Sequence, residues 1–266
     1  MNIALFKANM KLNWVLLLIF LAILFMYISV IITMYDPDNI DSMLTLAETM
    51  PEGMMEAFGY AGIPTDLNTF VALYYYGFII YMFPMIYCII LGNRLVASHV
   101  DSGSMAYLLA TPNTRVTIVT TQAAYLATSV IFLLLLNTAA AIATSAAIYP
   151  GELDPGPFIT LNLVAITLTL AVSSICFFFS CMFNESRFSL ALGGGVPILF
   201  FLINMLRNVS GQYSWLEYLT IYSLFDASAI ITGEQSPLGP VLFYVAITLL
   251  LYGAGIYIFS RRNLYL

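Results

Sequence analysis

Six long runs of apolar residues, parted by short polar stretches, make up most of the chain; they cover about residues 12–34, 71–92, 118–147, 158–182, 189–206 and 240–260. A hydrocarbon layer about 30 Å thick is crossed by about 20 apolar residues in a helix, so each run predicts a transmembrane span. The third run is longer than a crossing requires and is expected to tilt or to extend past the membrane. The pattern predicts one all-α integral membrane domain over residues 1–266.

Three further stretches are apolar without reading as spans. "WLEYLTIYSLFDASAIITGE", residues 215–234, is tempting as a seventh crossing. A seventh crossing would put Glu217 and Asp226 in hydrocarbon, where an ionised side chain costs several kcal/mol, and would move Arg261 and Arg262 to the other side. An outer interfacial or re-entrant segment over about 213–234 is expected instead. In the 35–70 loop, Met43, Leu44, Leu46, Ala47, Met50, Met54, Met55 and Phe58 recur at helical spacing beside acids, the pattern of a helix lying on the outer leaflet or capping the bundle. Ile3, Leu5, Phe6 and Met10 with Lys7 and Lys11 predict an interfacial helix over 1–11 at the inner surface. The run that follows exceeds the apolar core of about 7–15 residues in a secretory signal and has no cleavage site after it, so it reads as an anchor.

Composition agrees: the chain is 61% hydrophobic and 8% charged, against about one quarter charged in soluble domains. The net charge of -6 informs less than its distribution. Lys7, Lys11, Arg94, Arg115, Arg187, Arg261 and Arg262 fall at the termini and in the second and fourth connections, and Arg207 alone does not. With six spans those places share one side, so the positive-inside rule puts both termini in the cytoplasm. Of the acids, Asp101 and Glu185 lie inside and the other twelve outside.

Candidate chemistry is sparse. Cys88, Cys176 and Cys181 lie within predicted spans with no Cys or His at metal-ligand spacing, and read as small buried hydrophobes. His99 reads as an interfacial residue satisfied by water or a carbonyl. No span carries a centrally placed ionisable residue of the kind that binds a coupling ion or relays a proton. The chain also lacks a G-x-x-x-x-G-K-[ST] phosphate loop, so it is either passive or powered by a separate subunit.

One polar stretch bears on that choice. "DSGSMAYLLATPNTR", residues 101–115, resembles the segment of ABC-2 type permeases that reads E-x-G-T-L-E-Y-L-L-x-T-P-V-S-R. Gly103, Tyr107, Leu108, Leu109, Thr111, Pro112 and Arg115 match, Asp101, Ser104, Met105 and Thr114 are near equivalents, and Ala106 and Asn113 depart. The closing "FSRRNLYL" is similar to the family's F-x-R-R-D-L, with Asn263 in place of the acid. The resemblance implies an ABC-2 (type V) exporter fold with a cytoplasmic coupling helix, here about 101–112, docking into a groove on an ATPase. Ser102 or Asp101 is expected to cap that helix, Met105, Leu108 and Leu109 to form an apolar knob, Pro112 to end it, and Arg115 to meet headgroup phosphate or an acid on the ATPase. On physics alone, the same residues also fit a surface helix anchored to the inner leaflet.

In the spans, "NTAAAIATSAA" (137–147) offers small faces for close helix approach, and Gly193 to Gly195 with Pro197 a flexible entrance, features that more often mean packing. Tyr74, Tyr75 and Tyr76 read mainly as an outer aromatic belt. Tyr76, Tyr81, Asn137, Asn162 and Asn204 are pathway candidates, with bonding between helices favoured for the asparagines. The resemblance implies a homodimer, or a heterodimer with a homologous permease, two copies of an ABC ATPase that bind ATP and Mg, and surrounding lipid. No nucleic acid and no cofactor of this chain's own is expected. Small permeases of this kind resemble peptide-toxin and phenol-soluble modulin exporters, so an amphipathic peptide is the expected cargo. Drug or lipid efflux, a membrane sensor or scaffold, and a passive channel are the alternatives. The charge asymmetry makes orientation testable: a cysteine placed at Glu152 is expected to react with a membrane-impermeant thiol reagent in intact cells, and one at Arg187 only after lysis.

Overall fold

A computed structural model describes residues 1–36, 64, 66–110, 112–209 and 211–263. The amphipathic reading of Met43 to Phe58 lies outside them. The described residues form α1 (Ile3–Met34), α2 (Leu67–Tyr74), α3 (Ile79–Leu95), α4 (Ala97–Asp101), α5 (Met105–Leu109), α6 (Arg115–Ile148), α7 (Pro155–Met182), α8 (Ser186–Val209), 3-10 helices Gly211–Leu219 and Ile221–Leu224, α9 (Ala227–Thr232) and α10 (Leu238–Arg261). Six of these stretches are long and apolar enough to cross a membrane: α1, α3 continued by α4, α6, α7, α8 and α10.

Two element boundaries differ from expectation. No break separates an interfacial helix from the first span, because α1 holds no Pro or Gly; it runs unbroken from Ile3 with Asn2 as its cap. The second span starts later than residue 71. Around Tyr75 the chain makes wide turns, with the Tyr76 and Ile80 amides each bonded to a carbonyl five residues back, Val71 and Tyr75. This sets α2 apart from α3.

The axis of the bundle is α7, whose most apolar stretch is 78% buried, against 11% for α10 on the periphery. It packs against α10, α3, α8 and α6, while α1 lies on α6 and α3. Close contact depends on glycines. A Cβ at Gly92 would stand 3.0 Å from the Cβ of Cys176, and one at Gly255 would stand 3.3 Å from the Phe177 ring. Gly193 and Gly194 are buried in an uninterrupted α8 and serve packing rather than a flexible entrance. Pro197 has no N–H for the Gly193 carbonyl four residues before it. The Cys176 thiol donates to that carbonyl across the interface, 3.2 Å away, so Cys176 does more than fill space.

Side-chain bonds tie the bundle at both ends. At the end bearing most of the basic residues, Arg115 reaches the Arg262 carbonyl at 3.0 Å, and Arg262 reaches the Cys181 carbonyl at 2.6 Å. At the opposite end, Asn68 and Asp154 exchange two 3.0 Å bonds, and the Tyr149 hydroxyl donates to the Tyr35 carbonyl. The 215–234 stretch closes this second end as short helical turns. Tyr222 is buried there with its hydroxyl 3.5 Å from Met85 Sδ, and Tyr244 donates to the Ile221 carbonyl at 2.8 Å.

The α7–α8 contact generates a stability test. Cys176→Ser, which keeps a donor, is expected to leave the melting temperature in detergent near that of the wild type. Cys176→Ala, which orphans the carbonyl, is expected to destabilise by about 1–3 kcal/mol. Gly92→Val is expected to cost a similar or larger amount through overpacking.

Candidate functional site

The turn between the second and third spans is built from a kink and a glycine. At Val96 the backbone leaves helical geometry, and the freed Ala97 N–H donates to Ser180 Oγ of α7 at 2.9 Å. Gly103 adopts φ of +71°, a left-handed conformation costly for a side chain with Cβ. Of the expected 101–112 helix, only the single turn α5 (Met105–Leu109) is helical; Asp101 ends α4, and Gly103 lies between the two. Thr111 lies outside the described residues.

The capping expectation is corrected accordingly. Neither Asp101 nor Ser102 caps α5, which has no side-chain cap. Asp101 Oδ2 instead accepts from the Ser186 N–H at 3.3 Å, at the start of α8. Ser102 and Ser104 hydroxyls stand 2.9 Å apart, and Ser104 Oγ lies 2.8 Å from His99 Nδ1. Met105 is buried in the protein's own core, and Leu108 and Leu109 pack half-buried against it, so these three do not form a free knob. The residue that projects is Tyr107, 81% exposed. Pro112 is exposed just beyond α5.

Arg115, at the first position of α6, is engaged by the Arg262 carbonyl. Arg262 in turn donates to the carboxyl end of α7, where a cation also meets the negative pole of the helix dipole. The closing Arg pair therefore splits: Arg262 ties α7 to the chain's end, and Arg261 lies over the Tyr257 ring.

The amino-terminal helix joins the same assembly through residues that sequence reading missed. Asn2 donates from its backbone to Thr121 Oγ1 at 2.8 Å and from its amide to Asn113 Oδ1 at 2.9 Å. Asn9 donates to Gln122 Oε1, and Asn13 donates to the Asn9 carbonyl at 2.9 Å. Asn9, Asn13 and Gln122 are at most 3% exposed. Two asparagines four apart in an apolar helix were the available signal, since that spacing places both on one face.

The pathway candidates divide. Asn162 Oδ1 accepts from the hydroxyls of Tyr76 and Thr138, both at 2.7 Å, and Asn137 Oδ1 accepts from Tyr75 at 3.0 Å. All are buried, so Tyr75 and Tyr76 are internal braces rather than members of an aromatic belt. Tyr81 donates to the Phe225 carbonyl at 3.0 Å. Tyr76, Tyr81 and Asn204 do come together around a cavity of about 200 Å³, also lined by Arg207, Phe225 and Asp226. Asn137 and Asn162 lie outside its lining.

Six apolar helices define a multi-pass integral membrane protein, with a bonded polar turn at its basic end. The chain belongs to the ABC-2 family: the model described as "ABC-2 family transporter protein" matches residues 3–264. It is thus the permease of an ABC exporter, and its family implies an ABC ATPase partner. A search of curated proteins gives no match.

The left-handed turn is testable on its own. Gly103→Val is expected to cost about 1–2 kcal/mol and to expose the 96–115 turn to protease, whereas Gly103→Asn, which tolerates this conformation, is expected to cost less. Equal effects of the two would detach the backbone conformation from the role of Gly103.

Proposed function

We propose that this permease exports amphipathic or hydrophobic cargo, with amphipathic peptides of the toxin or antimicrobial kind as the leading class. The ATPase docks on the turn formed by α4 and α5. Two permease copies, identical or homologous, stand above two ATPase chains that bind ATP and Mg. ATP binding draws the ATPase pair together and displaces the docking turns, and hydrolysis resets them.

The observation that carries this reading is the combination of a rigidly held turn and one projecting ring. The turn is bonded to α7 through Ser180 and to α8 through Asp101, and Arg115, which follows it, to the end of α10. Tyr107 is left outside on that frame. A push delivered at Tyr107 reaches the central helix through a short chain of bonds, and docking gives the ring an apolar surface to cover it. The absence of charged residues from α7 suits cargo with an apolar face better than a small hydrated ion.

Co-purification with the cognate ATPase tests the reading. Tyr107→Asp is the informative variant, because Leu108 and Leu109 also support the fold. It is expected to weaken ATPase binding at least tenfold, about 1.4 kcal/mol, with an unchanged melting temperature, and to abolish stimulation of ATP hydrolysis by an amphipathic peptide. Undiminished binding would remove Tyr107 from the interface. Stimulation by a lipid or drug but not by peptide would replace the cargo, and a wild-type complex whose hydrolysis no cargo alters would favour the sensor or scaffold.

A further inference from the structure

The cavity at the outer end holds charges that the fold does not use against each other. Arg207, the one basic residue away from the inner side, is half-buried on α8 and bonds only to neutral acceptors, the Ser223 carbonyl at 3.4 Å and Asn208 Oδ1 at 3.2 Å. Asp226 borders the same cavity, its Oδ1 taken by the Ala229 N–H at 3.0 Å. The two form no ion pair; among the described residues the pair present is Arg187–Glu185, at the opposite end. Asn204, 5% exposed, also lines the cavity, and its Oδ1 has no hydrogen-bond partner.

A half-buried guanidinium, a carboxylate and an orphaned amide oxygen around one space of about 200 Å³ call for a ligand with complementary charges. Water alone would fill that volume with about seven molecules at about 30 Å³ each, leaving the half-buried Arg207 without a counter-ion beside the exposed Asp226 carboxylate. A phosphate suits the Arg207 fork, which favours bidentate contact with oxyanions. A primary ammonium suits Asp226 and Asn204 Oδ1, and the aromatic walls Tyr76 and Phe225 add faces that attract cations.

We infer that this cavity binds the headgroup of a zwitterionic phospholipid with a primary amine, phosphatidylethanolamine, from the outer leaflet, with phosphate on Arg207 and ammonium between Asp226 and Asn204. The inference is independent of the cargo and of the ATPase docking surface. Such a lipid fastens α8 to the turn before α9 and stabilises the outer closure of the bundle.

The test uses the full-length permease, delipidated in detergent and then supplied with phosphatidylethanolamine, phosphatidylcholine or phosphatidylglycerol at equal mole fraction. Melting temperature and native mass spectrometry are the readouts. Phosphatidylethanolamine is expected to give the largest upward shift and a retained single lipid. Arg207→Gln is expected to abolish both. Asp226→Asn, which keeps the helix cap, is expected to erase the preference over phosphatidylglycerol. Asn204→Leu serves if Arg207→Gln fails to fold, with loss of the retained lipid as the expected result. Free phosphoethanolamine is expected to produce a smaller shift, and a shift equal to the lipid's would replace the lipid by the free headgroup as the ligand. Equal stabilisation by phosphatidylglycerol would reduce the site to a simple anion contact, and equal stabilisation by phosphatidylcholine would remove ammonium recognition. No lipid effect, or displacement of lipid by an amphipathic peptide, would overturn the assignment.

Discussion

Hydrocarbon offers no hydrogen bonds, and the rest of this structure follows from that constraint. A backbone carbonyl freed inside the membrane must find its donor within the protein. Pro197 frees one on α8, and Cys176 of α7 supplies the donor. The partner can reach only because Gly92 and Gly193 let their helices approach the Cys176 turn so closely. One buried contact thus joins the second, fourth and fifth spans and makes α7 the axis on which the others lean.

The same demand organises the polar side chains. Asn162 collects two hydroxyls, Asn137 one, and Asn9 pairs with Gln122. These bonds are each worth about 0.6 kcal/mol in membranes, and their larger effect is to fix which helix faces meet. At the inner end the bonds are between segments distant in sequence. Asp101 meets Ser186, Arg115 meets Arg262, and Arg262 meets Cys181. A turn held in this manner transmits displacement instead of absorbing it, which the proposed docking of an ATPase there requires.

The two candidate regions were unequally legible. The inner turn was visible because Gly, Tyr, Leu-Leu, Pro and Arg occur at fixed offsets within one short stretch, and such local patterns survive in a linear reading. The direction each side chain takes was not visible. Met105, Leu108 and Leu109 read as a partner's knob, yet a left-handed Gly103 rotates them towards the core and leaves Tyr107 outside. The outer cavity was legible only in part. Tyr76, Tyr81 and Asn204 stood out as polar groups in apolar runs, but Arg207 read as an exception to a topology rule and Asp226 as an ordinary loop acid.

The sequence by itself determined that this chain crosses a membrane six times, which end carries the positive charge, and that residues 215–234 are not a seventh span, because hydrophobic length and the cost of burying charge are local quantities. Tertiary structure decided which asparagines brace and which face a cavity, where Asp101 and Arg262 spend their hydrogen bonds, and why Cys176 faces Gly193. Those outcomes depend on contacts between residues 17 to 147 positions apart, set by how the helices pack, and no local pattern along the chain contains them.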